Sequence, residues 1–407
     1  MKILTVMRII SRVKTKIKRV YDLVDFFAAR IMSTVVDGKE LWLIAEKVDE
    51  ARDNGYWFYK YLREKHPTER AYYVISSNSP DYAKIADLGM DNIVTPYSLR
   101  HKLLFWAAEY NVSSQPQSNY FSAFIPLRNF RKKNQKTVFL QHGIIKDNLS
   151  HGIDASVAGM DMFVTSASRE QQAVIERHGY TSGSCILTGL CRFDNLPLEH
   201  SVKSKQILIM PTFRHWIMAA NGAYATKEEK EKFVSDEFCQ MYNKLLSSKR
   251  LKETLEKYDY TLVFYPHYCV QPFLECFQDA KRTERVILAS NKDYDVQRLL
   301  IESDMLITDF SSIFFDFAYM KKPEAFFQFD EEKYRGGHYE EGYFKYREDA
   351  FGPVLSTVEE VLRFIEERLS KECCMEDIYK KKVDTFFAYN DQNNCERTYN
   401  TIIHYKK

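Results

Sequence analysis

Short apolar runs separated by helix-length segments recur from Glu40 to Phe329, and this alternation constrains the fold more than any other feature. The runs ELWLIAEKV, AYYVISS, NIVTPYS, YNVSSQ, KTVFLQHG, DMFVTSA and CILTG come first. After a polar stretch at residues 198–205 come QILIMPT, YTLVFYPH, RVILAS, MLITDFSS and PEAFFQF. Helical segments are expected between them, including DNGYWFYKYLREKH, residues 100–109, residues 168–178, residues 236–258 and residues 314–320, and residues 358–404 read as helical. Strands joined through helices form βαβ units and parallel sheets. Two such series predict an α/β chain with two Rossmann-like domains facing a cleft. The expected boundaries are an amphipathic helix over 1–35, an N-terminal domain over 36–200 and a C-terminal domain over 201–407. No internal repeat or low-complexity segment interrupts this pattern.

The chain has 407 residues, with 58 Lys and Arg against 56 Asp and Glu. A net charge of +2 excludes nucleic-acid binding by bulk charge. Residues 1–35 are different: Lys2, Arg8, Arg12, Lys14, Lys16, Lys18, Arg19 and Arg30 face only Asp22 and Asp25. Apolar residues recur there at Ile3, Met7, Ile10, Val13, Ile17, Val20 and Leu23. A basic amphipathic helix suits an anionic membrane surface, where each basic residue contributes about 1 kcal/mol. Packing on the protein with a solvated basic face is the alternative. No run of about 18 apolar residues predicts a membrane span. The eight cysteines form no CxxC pair, so their spacing points to neither a zinc site nor a disulfide framework. Scattered thiols fit a reducing cytoplasm.

In parallel sheets of this kind ligands lie beyond the carboxyl ends of the strands. Five strand-end loops carry candidate chemistry. KTVFLQHG ends in His142 and Gly143; imidazole titrates where a base for a hydroxyl is needed, and glycine admits a substrate to the backbone. CILTG leads to Arg192 and Asp194, which suit a loop ion pair as well as a ligand. QILIMPTFR ends in Thr212 and Arg214, a hydroxyl and a guanidinium fit for phosphate oxygens. YTLVFYPH ends in His267. MLITDFSS carries Asp309, Ser311 and Ser312 into an apolar helix, where serines serve either as helix caps or as phosphate ligands. The glycine-rich fingerprints of NAD enzymes and P-loop NTPases are missing. No acidic cluster dictates a metal, so no cofactor is required by the sequence; Mg²⁺ assistance is compatible with it.

Taken together, QHG, GLCRFDNL, IMPTFR, the strand-end His267, LLIESDMLITDFSSIFFDFAYMKKPEAFFQFD and YFKYREDAFGPV resemble the CDP-glycerol glycerophosphotransferase family, in family order over residues 40–400. ARDNGYWFYKYL and FFAYNDQNNCERTYNTI also look like family segments. The resemblance implies a GT-B fold with a CDP-alditol donor held mainly by the C-terminal domain. It implies two functional histidines, which fall on His142 and His267, and a serine pair near the donor phosphates, which falls on Ser311 and Ser312. The activity implied is transfer of an alditol phosphate, glycerol phosphate foremost, to a hydroxyl of a lipid-linked or growing cell-surface polymer of teichoic-acid or capsule type, with release of CMP. His142 is then the candidate general base. His267, Ser311, Ser312, Thr212 and Arg214 would stabilise the diphosphate, and Asp309 would bind or orient the loop. The expected location is the cytoplasmic face of the cell membrane, as a peripheral protein. The chain departs from many relatives in having Ile144-Ile145 where Thr-Pro follows the His-Gly pair, and Tyr265-Pro266 where a basic residue precedes the second histidine. Two other readings remain open at this stage: a GT-B glycosyltransferase using a nucleotide sugar, and a non-catalytic membrane-bound assembly subunit.

Overall fold

A computed structural model describes residues 21, 24–115, 134–148, 151–198, 203–219, 222, 224–282, 284–337 and 340–406. The first half forms a parallel sheet from β1 (Leu41–Ala45), β2 (Arg70–Val74), β3 (Ile93–Val94), β4 (Tyr110–Ser113), β5 (Lys136–Phe139), β6 (Met162–Thr165) and β7 (Cys185–Leu187). Its strand order is β3-β2-β1-β4-β5-β6-β7. The second half forms a parallel sheet from β8 (Gln206–Ile209), β9 (Thr261–Phe264), β10 (Val286–Leu288), β11 (Met305–Thr308), β12 (Glu324–Phe327) and β13 (Val354–Leu355), in the order β10-β9-β8-β11-β12-β13. Strands such as β1, β6, β11 and β12 are buried along their whole length. Helices cover both faces of such sheets, which is why these strands read as continuous apolar runs rather than as alternations.

The expected helix over 236–258 is two helices, Glu237–Leu246 and Lys249–Tyr258. Ser248 divides them, its side chain accepting from Leu251 N at the start of the second. The expected C-terminal helical stretch is three helices, Val358–Ser370, Asp377–Phe386 and Asn394–His404. The last of these crosses back onto the first sheet. Tyr399 stacks on His66, with centroids 4.0 Å apart, and donates to Glu69 at 2.7 Å. Phe193 of the first half packs on Tyr319 of the second at 4.4 Å, so one apolar cluster runs through both halves.

Most of the expected helix over 1–35 lies outside the described residues. Residues 24–32 are helical and a 3₁₀ turn follows at Ser33–Val35. Phe26 is buried against Trp106, at 4.5 Å, while Val24, Ile31 and Val35 are exposed. No described helix is long and apolar enough to cross a membrane.

Candidate active site

The turn after β5 is built to aim one imidazole. Gln141 has a left-handed backbone, φ +61°, a conformation uncommon for a side chain of its kind and one that persists only where its surroundings impose it. They do so at several points. The Gln141 carbonyl accepts from Asn54 Nδ2 at 2.9 Å, and its side-chain amide donates to Glu170 Oε1 at 3.1 Å. Glu170 also accepts from Ile145 N at 2.9 Å and Ser166 N at 2.8 Å. Burial pushes its pKa up to about 7, against these donors. The chain on both sides of His142 is thereby fixed, and the His142 ring stands exposed to the cleft. Although solvent reaches it, the crowding cleft walls lower its pKa. Asp53 and a backbone hydrogen bond at Ser114 act to raise that pKa, while the Arg192 and Lys47 cations act to lower it. The sum is a depressed pKa and an imidazole that is neutral near pH 7, able to accept a proton.

Arg192 is buried and wholly engaged. Its Nε and Nη2 grip the two oxygens of Asp316 at 2.6 and 2.8 Å, and its Nη1 reaches Asp53 Oδ1 at 2.8 Å and the His142 carbonyl at 3.1 Å. Its backbone N–H donates to Asn54 Oδ1 at 2.9 Å. Behind Asp53 stands the buried Glu46, whose carboxylate accepts from the amides of Arg52, Asp53 and Tyr56. Burial foremost, and then Asp53, raise the Glu46 pKa to about 8.

The loops of the second half are joined in a similar way. Asp309 Oδ1 accepts from Thr212 N at 2.9 Å and its Oδ2 from Arg214 Nη1 at 2.9 Å, while the Asp309 carbonyl accepts from Gln328 Nε2 at 2.9 Å. His267 N donates to the Pro211 carbonyl at 3.1 Å. The half-buried His267 ring stacks on Phe213, 4.7 Å between centroids, beside Tyr268 at 4.2 Å. Ser311 and Ser312 are half-buried. The helix they enter, Phe314–Tyr319, takes Ile313 as its first cap without a side-chain capping bond. Ser311 Oγ meets Ile313 N only at 3.4 Å, so neither hydroxyl is committed as a tight helix cap.

A cleft of about 440 Å³ lies between the halves. His142, Arg192, Asp53 and Lys47 line it from one side; Tyr265 and Tyr268, which flank His267, and Ile313 and Asp316, which follow the serine pair, line it from the other. Gly143 touches the serine loop, since a Cβ built on it would lie 3.1 Å from Ser312 Oγ. His142 thus lines one cleft with neighbours of His267 and of the serine pair, while Gly143 lies against Ser312. Three of the expected ligands are not available to a substrate. Arg214 is completely buried, with Nε and Nη2 on Asp330 at 2.7 and 2.9 Å, and holds the loops together from behind. Asp309, also fully buried, is the acceptor of that arrangement. Asp194 accepts from the amides of Asn394 and Cys395, both at 2.8 Å, and so caps the last helix. Arg192 lines the cleft but has its guanidinium spent on Asp316, Asp53 and a carbonyl. The buried Thr212 is placed by its amide on Asp309, at the base of the loops.

Sequence reasoning passed over Asn54, Asp53, Glu46, Glu170 and Asp316. A signal existed for some of them. Asp53-Asn54-Gly55 opens a helix, where Asp caps and Gly permits close approach. Asp316 is a lone charge inside the apolar run IFFDFAY, and buried acids are rarely unpaired. Glu46 and Glu170 gave no such signal.

Two parallel α/β sheets whose strand ends face a shared cleft define a protein of the GT-B class. A family model described as CDP-Glycerol:Poly(glycerophosphate) glycerophosphotransferase matches residues 26–404, and the chain belongs to that family. It is 33% identical to the minor teichoic acid biosynthesis protein GgaB of Bacillus subtilis over 91% of this chain and 40% of that protein. It is 25% identical to a teichoic acid poly(glycerol phosphate) polymerase of Staphylococcus epidermidis over 98% of this chain and 54% of that one. The chain therefore spans about half, or less, of these curated relatives. The solved structure of the wall teichoic acid polymerase TagF superposes with a TM-score of 0.65 at 20% identity, covering 97% of both chains. A UDP-GlcNAc 2-epimerase from Neisseria meningitidis shares the fold, with a TM-score of 0.53 at 12% identity over 89% of this chain and 99% of that one.

Proposed function

We propose that this chain transfers glycerol phosphate from CDP-glycerol to a terminal hydroxyl of a growing teichoic-acid-type polymer, with release of CMP. Membership of the glycerophosphotransferase family supports the reaction class. The observation that carries the assignment to this cleft is His142, neutral near pH 7 and aimed into the cleft by a strained strand-end turn. In the reaction, the acceptor oxygen attacks the phosphorus that bears the glycerol. His142 takes the hydroxyl proton, the bond from that phosphorus to the CMP oxygen breaks, and CMP leaves with the electron pair. The chemistry is mainly positioning and charge stabilisation. His267, Ser311 and Ser312 face the donor diphosphate in this reading, and Gly143 keeps the base loop against them. Among the described residues no group of three His, Cys, Asp or Glu side chains is placed to hold a metal ion.

The protein works at the membrane surface in this reading, as a peripheral protein of the cytoplasmic face. The exposed Val24, Ile31 and Val35 continue the apolar pattern of the basic amino-terminal segment and support that placement. The deciding experiment incubates the protein and bacterial membranes with CDP-glycerol, CDP-ribitol and nucleotide sugars in turn, and follows nucleotide release. CMP formed from CDP-glycerol, lost in His142→Ala with donor binding kept, and weakened donor binding in His267→Ala, are the expected results. Turnover of nucleotide sugars alone would replace this reading with glycosyl transfer. Removal of residues 1–20, which leaves the buried Phe26 in place, or washing with high salt, is expected to release the protein from membranes.

A further inference from the structure

The two halves of the cleft meet at a buried ion pair that sits directly behind the proposed base. Arg192 follows β7 in the first half, and Asp316 lies in the helix that follows Ser311 and Ser312 in the second. The pair is bidentate, at 2.6 and 2.8 Å, with both side chains almost entirely buried. The third arm of the same guanidinium holds the His142 carbonyl at 3.1 Å and Asp53 at 2.8 Å. One side chain therefore fixes the backbone of the base loop to the helix that carries the serine loop. Other ion pairs cross between the halves, the largely buried Asp147 with Arg335 at 2.6 Å and the half-exposed, screened Arg169 with Asp349, but Arg192 is the cation of these that holds the His142 carbonyl.

We propose that Arg192 and Asp316 are positioning residues, a bridge that makes closure of the two halves and alignment of His142 with the donor phosphates a single event. The planar guanidinium suits the task, since its fork fixes direction as well as distance, which an ammonium does not. Misplacing a reacting group by about 1 Å costs on the order of 10²-fold in rate. The charged groups around His142 give an independent handle. They are Asp53 at the start of the helix Asn54–Lys65, Lys47 after β1, and Arg192 itself; the Ser114 backbone adds a hydrogen bond after β4. Of the two cations that lower the His142 pKa, Arg192 acts more strongly than Lys47. Removing its charge raises the imidazole pKa and moves the acidic limb of the rate profile to higher pH; replacing it with lysine keeps the charge and leaves the limb in place.

The inference rests on the transfer reading for its kinetic arm but not for its structural one. In the kinetic arm, Asp316→Asn, Arg192→Lys and Arg192→Gln are assayed with CDP-glycerol and membranes, with rates expressed per folded molecule. The expected result is a fall in kcat of about 10–100-fold with a far smaller change in donor KM, and an acidic limb displaced upward in Arg192→Gln only. In the structural arm, non-cysteine spin labels on the helices Ser168–His178 and Val358–Ser370 report the separation of the halves by double electron–electron resonance. Asp316→Asn is expected to broaden or lengthen that distance. A wild-type distance distribution in Asp316→Asn overturns the bridge whatever the donor proves to be. So does activity that falls only in proportion to the unfolded fraction. Failure of the wild-type protein to turn over any CDP-alditol instead sinks the transfer reading, and the distance measurement still decides the bridge.

Discussion

Gly143 approaches Ser312 so closely that a methyl group on the glycine would lie 3.1 Å from the serine hydroxyl oxygen. The two residues lie on loops that follow strands of different sheets and are 169 positions apart in the sequence. Their contact joins the proposed base loop to the proposed phosphate loop with no side chain between them. The missing Cβ is what permits the approach.

Gly143→Ala should therefore push the Ser312 hydroxyl aside by a few tenths of an ångström, a strain that offsets the roughly 0.4–1 kcal/mol an alanine otherwise gains by restricting the unfolded chain. Ser312→Gly in the same chain removes the crowding hydroxyl and should release that strain. Urea unfolding of the two single variants and the double variant gives the coupling directly; additive effects would mean that the loops do not touch in solution.

The pH dependence of turnover should carry the depressed pKa of His142. A base must be unprotonated, so the rate rises with pH through the folded-state value. Desolvation by the surrounding cleft walls holds that value below the ordinary 6.5. The acidic limb is accordingly expected below pH 6.5 in the wild-type enzyme and absent in a weakly active His142→Gln enzyme. A midpoint above 7 would contradict the geometry.

Arg214→Ala should act on folding rather than on donor affinity. It leaves two carboxylates, Asp309 and Asp330, buried without their cation. Breaking a buried pair from one side typically costs about 3–5 kcal/mol. Thermal unfolding should show a large loss, and any soluble fraction should keep near-normal affinity for CDP-glycerol by calorimetry. A stable variant with weakened affinity would return Arg214 to the role its sequence position suggested.

Asp194→Ala should be milder. The carboxylate caps the helix Asn394–His404 through two amides, and loss of such a cap costs roughly 0.5–2 kcal/mol. Donor KM is expected to stay the same, because Asp194 does not line the cleft between the halves.

Glu324 is buried within β12 with no hydrogen-bond partner on either carboxyl oxygen. Burial raises its pKa well above 4.5. The folded state keeps this proton while the unfolded chain releases it above about pH 4.5, so the residue costs stability progressively as pH rises from there. Glu324→Leu should remove that slope and stabilise the protein at pH 7 by about 1–3 kcal/mol. Denaturation of both proteins at pH 5 and pH 7 tests the sign: the gap between them should widen at the higher pH.

The sequence by itself determined the layered architecture. The period of the apolar runs sets strand against helix, and burial on both faces of a parallel sheet makes those runs continuous, so strands from Leu41–Ala45 to Glu324–Phe327 and the helix Ser168–His178 could be read directly. It also marked His142, His267 and Ser311-Ser312 as strand-end residues. The exceptions were local: the two-residue β13 is too short to carry a pattern, and Ser248 splits a helix that hydrophobic spacing alone would continue. What only the tertiary structure decided was which charges are free. Arg192, Arg214, Asp309 and Asp194 look like ligands along the chain, because a strand-end position gives no account of a partner about a hundred or more residues away. Asp316, 124 positions from Arg192, Asp330, 116 from Arg214, and Asn394, 200 from Asp194, supply those partners only after folding. A buried charge must be paired, and the pairing that satisfies this requirement is set by how the two sheets pack, which no local pattern records.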